Sequence, residues 1–144
     1  IVKGHEGIKI IWQLIIQESQ DVFSVGVKGQ WFDPDLDTAR KTFFKKLEPT
    51  KVIVYLLLDD YLIKQDRDYV KNYEYKNRTA RILPKAYNTN SLVNVFGDYT
   101  VFYNQVEYRK ISKDTIFYVI KDRDLAESHR LWFWFMWKMS KELK

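Results

Sequence analysis

The chain has 144 residues, 46% hydrophobic and 17% aromatic, with 24 basic residues facing 19 acidic ones for a net charge of +5. A chain of this length buries roughly two-thirds of its surface on folding, so one globular domain is expected and wholesale disorder is excluded. The absence of cysteine excludes a disulfide scaffold, a thiolate zinc site and a cysteine nucleophile, and fits a reducing, cytoplasmic setting.

No apolar run approaches the ~20 residues of a membrane helix. The longest runs, Val52–Leu58 and Leu131–Trp137, have seven residues each. Lys3, His5, Glu6 and Lys9 interrupt the opening, so it does not read as a signal peptide. The chain opens on Ile1 in mid-pattern, as a fragment of a longer protein would. A surplus of five positive charges is small for a nucleic-acid binder, which concentrates them in a patch.

Gly7–Ser19 has helical periodicity. Lys9, Gln13 and Gln17 form one polar stripe, and Ile8, Ile10, Ile11, Trp12, Leu14, Ile15 and Ile16 cover the rest. A helix so apolar packs on more than one side, against a sheet and a second helix, subunit or domain. Val22–Val27 reads as a strand, with Gly26 and Gly29 loosening the chain after it. Asp33–Pro34 is a helix start, the aspartate as N-cap and the proline in the first turn. That helix runs to Leu47 with Leu36, Ala39, Phe43 and Leu47 on one face, and Pro49 ends it.

Val52–Leu58 is continuously apolar, as in a strand buried on both faces. Strand, helix, strand with short loops implies a crossover and a parallel pair. Leu62–Tyr73 is a weaker helix pattern, and Thr79–Leu83 a strand stopped by Pro84. Leu92–Phe96 and Thr100–Val106 flank Gly97–Asp98, a hairpin turn with glycine first. Thr115–Ile120 is the last strand. Asp124 then caps a C-terminal helix reaching Leu143. Its core stripe reads as Leu125, His129, Trp132, Phe133, Met136, Met139 and Leu143. Trp134 points the other way among Arg130, Lys138 and Lys141, with Leu131 and Phe135 beside it. That patch reads either as an indole covered by cation stems or as an interface.

The search for chemistry returns little. The two histidines, His5 and His129, lie far apart in sequence, and neither has a second histidine three or four residues away for a metal. His129 on an apolar helix face reads as a packed, hydrogen-bonded side chain. Asp59 and Asp60 follow the most buried strand, where they serve either as turn and capping residues or as a cation site. Gly4 and Gly7 do not make a phosphate loop. Arg40, Lys41, Lys45 and Lys46 are a solvated face or a phosphate contact. No cofactor motif is present.

Three stretches resemble one family. Gly4–Ile16 (GHEGIKIIWQLII) is similar to the glycine-glycine-isoleucine opening after the DNA-binding head of TrmB-like archaeal and bacterial transcription regulators. Arg81–Asp98 (RILPKAYNTNSLVNVFGD) resembles that family's leucine-proline turn and the hairpin closing in Gly-Asp. Ala126–Lys138 (AESHRLWFWFMWK) resembles its aromatic terminal helix, with His129 departing from the more usual aromatic.

The resemblance implies a phospholipase D-like α/β fold, a mixed sheet flanked by helices, preceded by a winged helix through which DNA is bound. It also implies a homodimer, and a small polar ligand such as a sugar. Active members of the fold carry a histidine, a lysine two residues on and an aspartate five further. With Asp98 on the aspartate, Ser91 takes the histidine position and Val93 the lysine position. Serine without a base cannot form the phosphoenzyme, and valine brings no charge to the phosphoryl group. The expectation is therefore a non-catalytic effector and dimerisation domain, with a divergent metal-dependent phosphodiesterase or nuclease on Asp59 and Asp60 as the alternative. The expected ligand cleft collects Gly26, Lys28, Trp31, Asp59, Arg81, Ser91 and Asn94, and the expected interface Leu131, Trp134 and Phe135.

Overall fold

The computed structural model describes residues 1–143. One eight-stranded mixed sheet runs through it in the order β1-β7-β6-β5-β2-β3-β4-β8. The strands are β1 (Val2–Lys3), β2 (Val22–Val27), β3 (Val54–Leu58), β4 (Arg78–Ile82), β5 (Leu92–Phe96), β6 (Tyr99–Tyr103), β7 (Ile116–Lys121) and β8 (Lys141–Glu142). β2, β3 and β4 are parallel, while β5 joins the other edge of β2 antiparallel. Strand direction therefore switches at β2. The parallel β2–β3 pair and the Gly97–Asp98 hairpin stand where the sequence places them.

Helices α1 (Gly4–Glu18) and α2 (Asp37–Leu47) cover one face. Ile8, Ile11, Trp12 and Ile15 of α1 join Phe43, Phe44 and Leu47 of α2 over Val22, Val54, Leu56, Phe96 and Phe117. The second surface that α1 requires is α2. Trp12 stacks on Phe43 at 5.1 Å, and Trp31 meets both rings edge-on. Gly7 lets α1 approach the sheet, because a Cβ there would lie 2.7 Å from the Phe117 ring. Asp33 caps a 3₁₀ turn over Pro34–Leu36 that leads into α2, its carboxylate accepting the Asp35 amide.

Helix α3 is short (Asp60–Gln65), so the helix expected over Leu62–Tyr73 gives way to turns beyond Asp66. Its apolar side chains still reach the core: Leu62, Tyr69 and Tyr73 are buried. The spacing reported which residues point inward and misjudged the backbone that carries them.

Helix α4 (Arg123–Lys138) lies on the opposite face, over Phe23, Leu57 and Val95. Three expectations for it are corrected. Its cap is Asp122, whose carboxylate accepts the Leu125 amide, and not Asp124. It ends at Lys138, and the chain turns back through β8 onto β4 before reaching Leu143. Its inward residues are Ala126 and Phe133, with Met136 and Trp137 beside them, whereas Leu125, Trp132 and Met139 are exposed. Small Ala126 is what lets the helix seat, and a segment this rich in large apolar residues offers two stripes that periodicity alone cannot rank. No helix among the described residues is long and apolar enough to cross a membrane.

The corrected register separates two substitutions on α4 by their effect on stability. Phe133→Ala, which empties a fully buried site, costs about 3–5 kcal/mol. Leu131→Ala, on the exposed side, changes stability by no more than about 0.5 kcal/mol. Urea unfolding of both variants measures this, and equal losses would contradict the register.

Candidate functional site

The carboxyl ends of β2 and β3 and the entrance to β5 meet at one buried ion pair. β2 bulges between Val25 and Val27, with Gly26 at φ +83°. A Cβ at Gly26 would stand 2.8 Å from the Ser91 carbonyl oxygen, so the approach of the two strands here requires glycine. The bulge turns the Lys28 side chain inward. Its Nζ donates to the carbonyls of Gly26 at 2.7 Å and Ser91 at 2.8 Å, and pairs with Asp59 Oδ2 at 2.9 Å. The lysine and aspartate side chains are only 7% and 3% exposed.

All three ammonium hydrogens of Lys28 are thus committed. Asp59 is the less satisfied partner, since its Oδ1 is buried without a hydrogen bond. Burial lifts the Asp59 carboxyl above the usual carboxylate range, opposed by Lys28 and by the nearby Thr89 amide. Burial likewise lowers the Lys28 ammonium, opposed by Asp59. Beside the pair opens a cavity of about 550 Å³, lined by Tyr61, Asn88–Asn90 and Val106–Tyr108 in addition to the two charges.

Four of the seven residues expected in the cleft, Gly26, Lys28, Asp59 and Ser91, are therefore brought together. Three are not. Trp31 and Asn94 lie beneath the sheet in a buried chain: the Trp31 indole donates to the Tyr103 hydroxyl at 3.2 Å, that hydroxyl donates to Asn94 Oδ1, and Asn94 Nδ2 donates to Ser24 Oγ at 2.6 Å. Burial holds the Tyr103 hydroxyl far above its ordinary pKa, so the chain stays neutral and structural. Arg81 faces α4, donating to the Trp137 carbonyl at 2.9 Å with its guanidinium 4.9 Å from that indole. Periodicity misplaces Arg81 and Asn94 because the face of a strand residue follows only from its register, and Trp31 because it sits in a 3₁₀ turn (Gln30–Phe32) beyond β2. Tyr61, Asn88, Thr89, Asn90, Glu107 and Tyr108 were missed, as residues from the start of α3 and two separate loops that only the fold assembles. The polar run Asn88–Asn90 was the one signal available.

Asp59 and Asp60 do not form a pair of ligands. Asp60 turns to Lys64 at 2.9 Å, and its amide donates to Asn88 Oδ1. The imidazoles are equally separate. His5 Nε2 contacts the Ile111 carbonyl at 2.8 Å on the α1 face, 3.5 Å from Asp33 Oδ2. His129, on the α4 face, bonds through Nδ1 to the Leu125 carbonyl at 2.8 Å and packs against Phe102 and Trp132. Among the described residues, His5, Asp33 and Asp35 are the one group whose atoms could converge on a metal. Asp33 is already committed there, accepting the amides of Asp35 and Ile111.

Two surface expectations also change. Trp134 is only partly exposed and packs edge-on against Phe23 at 5.6 Å and Tyr55 at 5.1 Å, so it belongs to the α4–sheet contact. Leu131 and Phe135 remain exposed, at 70% and 66%. Arg40 leaves the basic face of α2, buried in ion pairs with Glu74 and Asp37.

These features define an α/β domain with a mixed sheet, helices on both faces and a buried lysine–aspartate pair at the point where strand direction switches. The same fold occurs in TrmBL2, an archaeal chromatin protein described as showing a novel mode of DNA binding, at a TM-score of 0.57 and 15% identity. The match covers 98% of this chain and 52% of that one, so this chain spans about half the length of TrmBL2. It occurs also in NucT from Helicobacter pylori, at a TM-score of 0.63 and 12% identity, over 93% of this chain and 92% of that one. At such identities the likeness is one of fold. No protein-family model and no curated protein matches the sequence.

Removing one member of a buried pair strands a charge. Lys28→Met and Asp59→Leu alone should each cost about 3–5 kcal/mol, and the double variant should cost less than either. A double-mutant cycle by urea unfolding checks this, and additive losses would show that the pair is not coupled.

Proposed function

We propose that this chain is a non-catalytic effector-sensing and dimerisation domain of a TrmB-like transcription regulator, with a phospholipase D-like fold whose catalytic positions are vacant. DNA is reached through a separate N-terminal domain. The fold shared with TrmBL2, of which this chain spans about half, supports the regulator reading.

The observation that carries it is the β5–β6 hairpin. It closes at Gly97–Asp98, and Ser91 and Val93 fill the two positions that the phospholipase D-like motif gives to histidine and lysine. Phosphoryl transfer through the protein needs an imidazole nucleophile and a free cation. Ser91 offers the Lys28 ammonium only its carbonyl, and the Val93 side chain packs toward α4. Lys28, the nearest cation, has no donor left. The phosphodiesterase alternative asks Asp59 and Asp60 to share an ion, and each is held in its own ion pair.

Dimerisation is assigned to the outer side of α4. Leu131 and Phe135 stand exposed there with Leu125, Trp132 and Met139. Single exposed apolar residues are ordinary, but several large ones along one helix mark an interaction surface. A second copy of the chain occupies it. The cavity beside Lys28 and Asp59 is the sensing site for a small polar ligand such as a sugar, which acts by binding one arrangement of the dimer more tightly than another.

Sedimentation equilibrium tests the dimer. The wild-type chain should sediment as a dimer at micromolar concentration, and Leu131→Glu with Phe135→Glu as a monomer with unchanged circular dichroism. A wild-type chain that stays monomeric at high concentration would remove dimerisation from the proposal.

A further inference from the structure

We infer that the cavity beside Lys28 and Asp59 takes a small organic cation bearing N–H donors, a primary ammonium or a guanidinium, rather than a neutral sugar or an anion. This rests on the sensing role proposed for that cavity and narrows it to one class of ligand.

The inference starts from what the lining has left to offer. Lys28 is the one cation there, and its three hydrogens are taken by Gly26, Ser91 and Asp59. An arriving phosphate or carboxylate would find no free ammonium donor. The charged acceptors are in surplus. Asp59 lines the cavity, and its Oδ1 is buried with no hydrogen bond among the described residues, an arrangement that costs free energy until a donor reaches it. Glu107, on the rim, forms no ion pair among the described residues. Since Lys28 and Asp59 cancel, Glu107 leaves the lining with one negative charge on a chain of net charge +5.

Two tyrosines complete the setting. Tyr61 and Tyr108 line the same cavity, and aromatic faces attract an ammonium or guanidinium that has shed its water. A sugar would also stack on tyrosine, but its hydroxyls need donors in return as well as acceptors, and the charged donor at this site is spent. A ligand that brings positive charge with its donors matches the uncommitted oxygens of the two carboxylates. The overall positive charge of the chain works against indiscriminate amine binding, so uptake of such a cation reports a local site.

Isothermal titration calorimetry of the chain with putrescine, glucose and inorganic phosphate in parallel tests this. Putrescine should bind saturably at one site per chain, with no heat from glucose or phosphate. Asp59→Asn should weaken it about tenfold or more, the worth of a charge-assisted hydrogen bond. Glu107→Lys, an exposed substitution that spares the buried pair, should abolish binding while leaving the melting temperature unchanged, which keeps the test valid should Asp59→Asn fail to fold. Glucose or phosphate binding that Glu107→Lys leaves intact, with putrescine inert, would overturn the cation assignment while the sensing role stands. Silence from all three probes would overturn both.

Discussion

An ammonium buried among three oxygens holds the centre of this molecule together. Lys28 reaches a carbonyl of its own strand, a carbonyl at the entrance to β5 and the carboxylate that ends β3. A buried charge persists only when it is paired and its donors are used, so these three segments cannot separate without stranding it. The β2 bulge, the positive φ of Gly26 and the position of Ser91 all serve that contact. The switch of strand direction at β2 places it there, at the kind of crevice where α/β sheets take ligands.

Much of this frame was legible in the sequence. The unbroken apolar run ending at Leu58 could only be a strand covered on both faces, and Gly97–Asp98 could hardly be anything but a hairpin turn. α1 was legible down to its need for a second partner, because its polar stripe is one residue wide. Failure came where apolar residues were too many. α4 offers Leu125, Trp132 and Met139 on one side and Ala126, Phe133 and Trp137 on another, and only the fit of a small alanine against the sheet decides between them. The two-residue strands β1 and β8 carry no periodicity to detect.

The site divides in the same way. Gly26, Lys28, Asp59 and Ser91 were found because strand ends and glycines mark such places. Arg81 was drawn off to the Trp137 indole, and Trp31 and Asn94 were turned under the sheet, since alternation fixes the face of a residue only after the register is known. Asp59 and Asp60, adjacent in sequence, point to different lysines. Proximity along the chain said nothing about a shared task. The loop residues around the cavity have no common pattern, since the fold gathers them from separate stretches.

Chemically, the corner resembles a catalytic centre in composition and differs in capacity. It holds a lysine, an aspartate and a serine, yet the lysine donates wholly inward, the serine contributes a carbonyl, and both imidazoles lie elsewhere on opposite faces of the sheet. In the proposed function such a corner recognises a ligand without transforming it. The most direct measurement is hydrolysis of a simple phosphodiester, bis(p-nitrophenyl) phosphate, by the purified protein with added magnesium or manganese. The account predicts no turnover above buffer with either ion. Turnover that disappears in Asp59→Asn would contradict it.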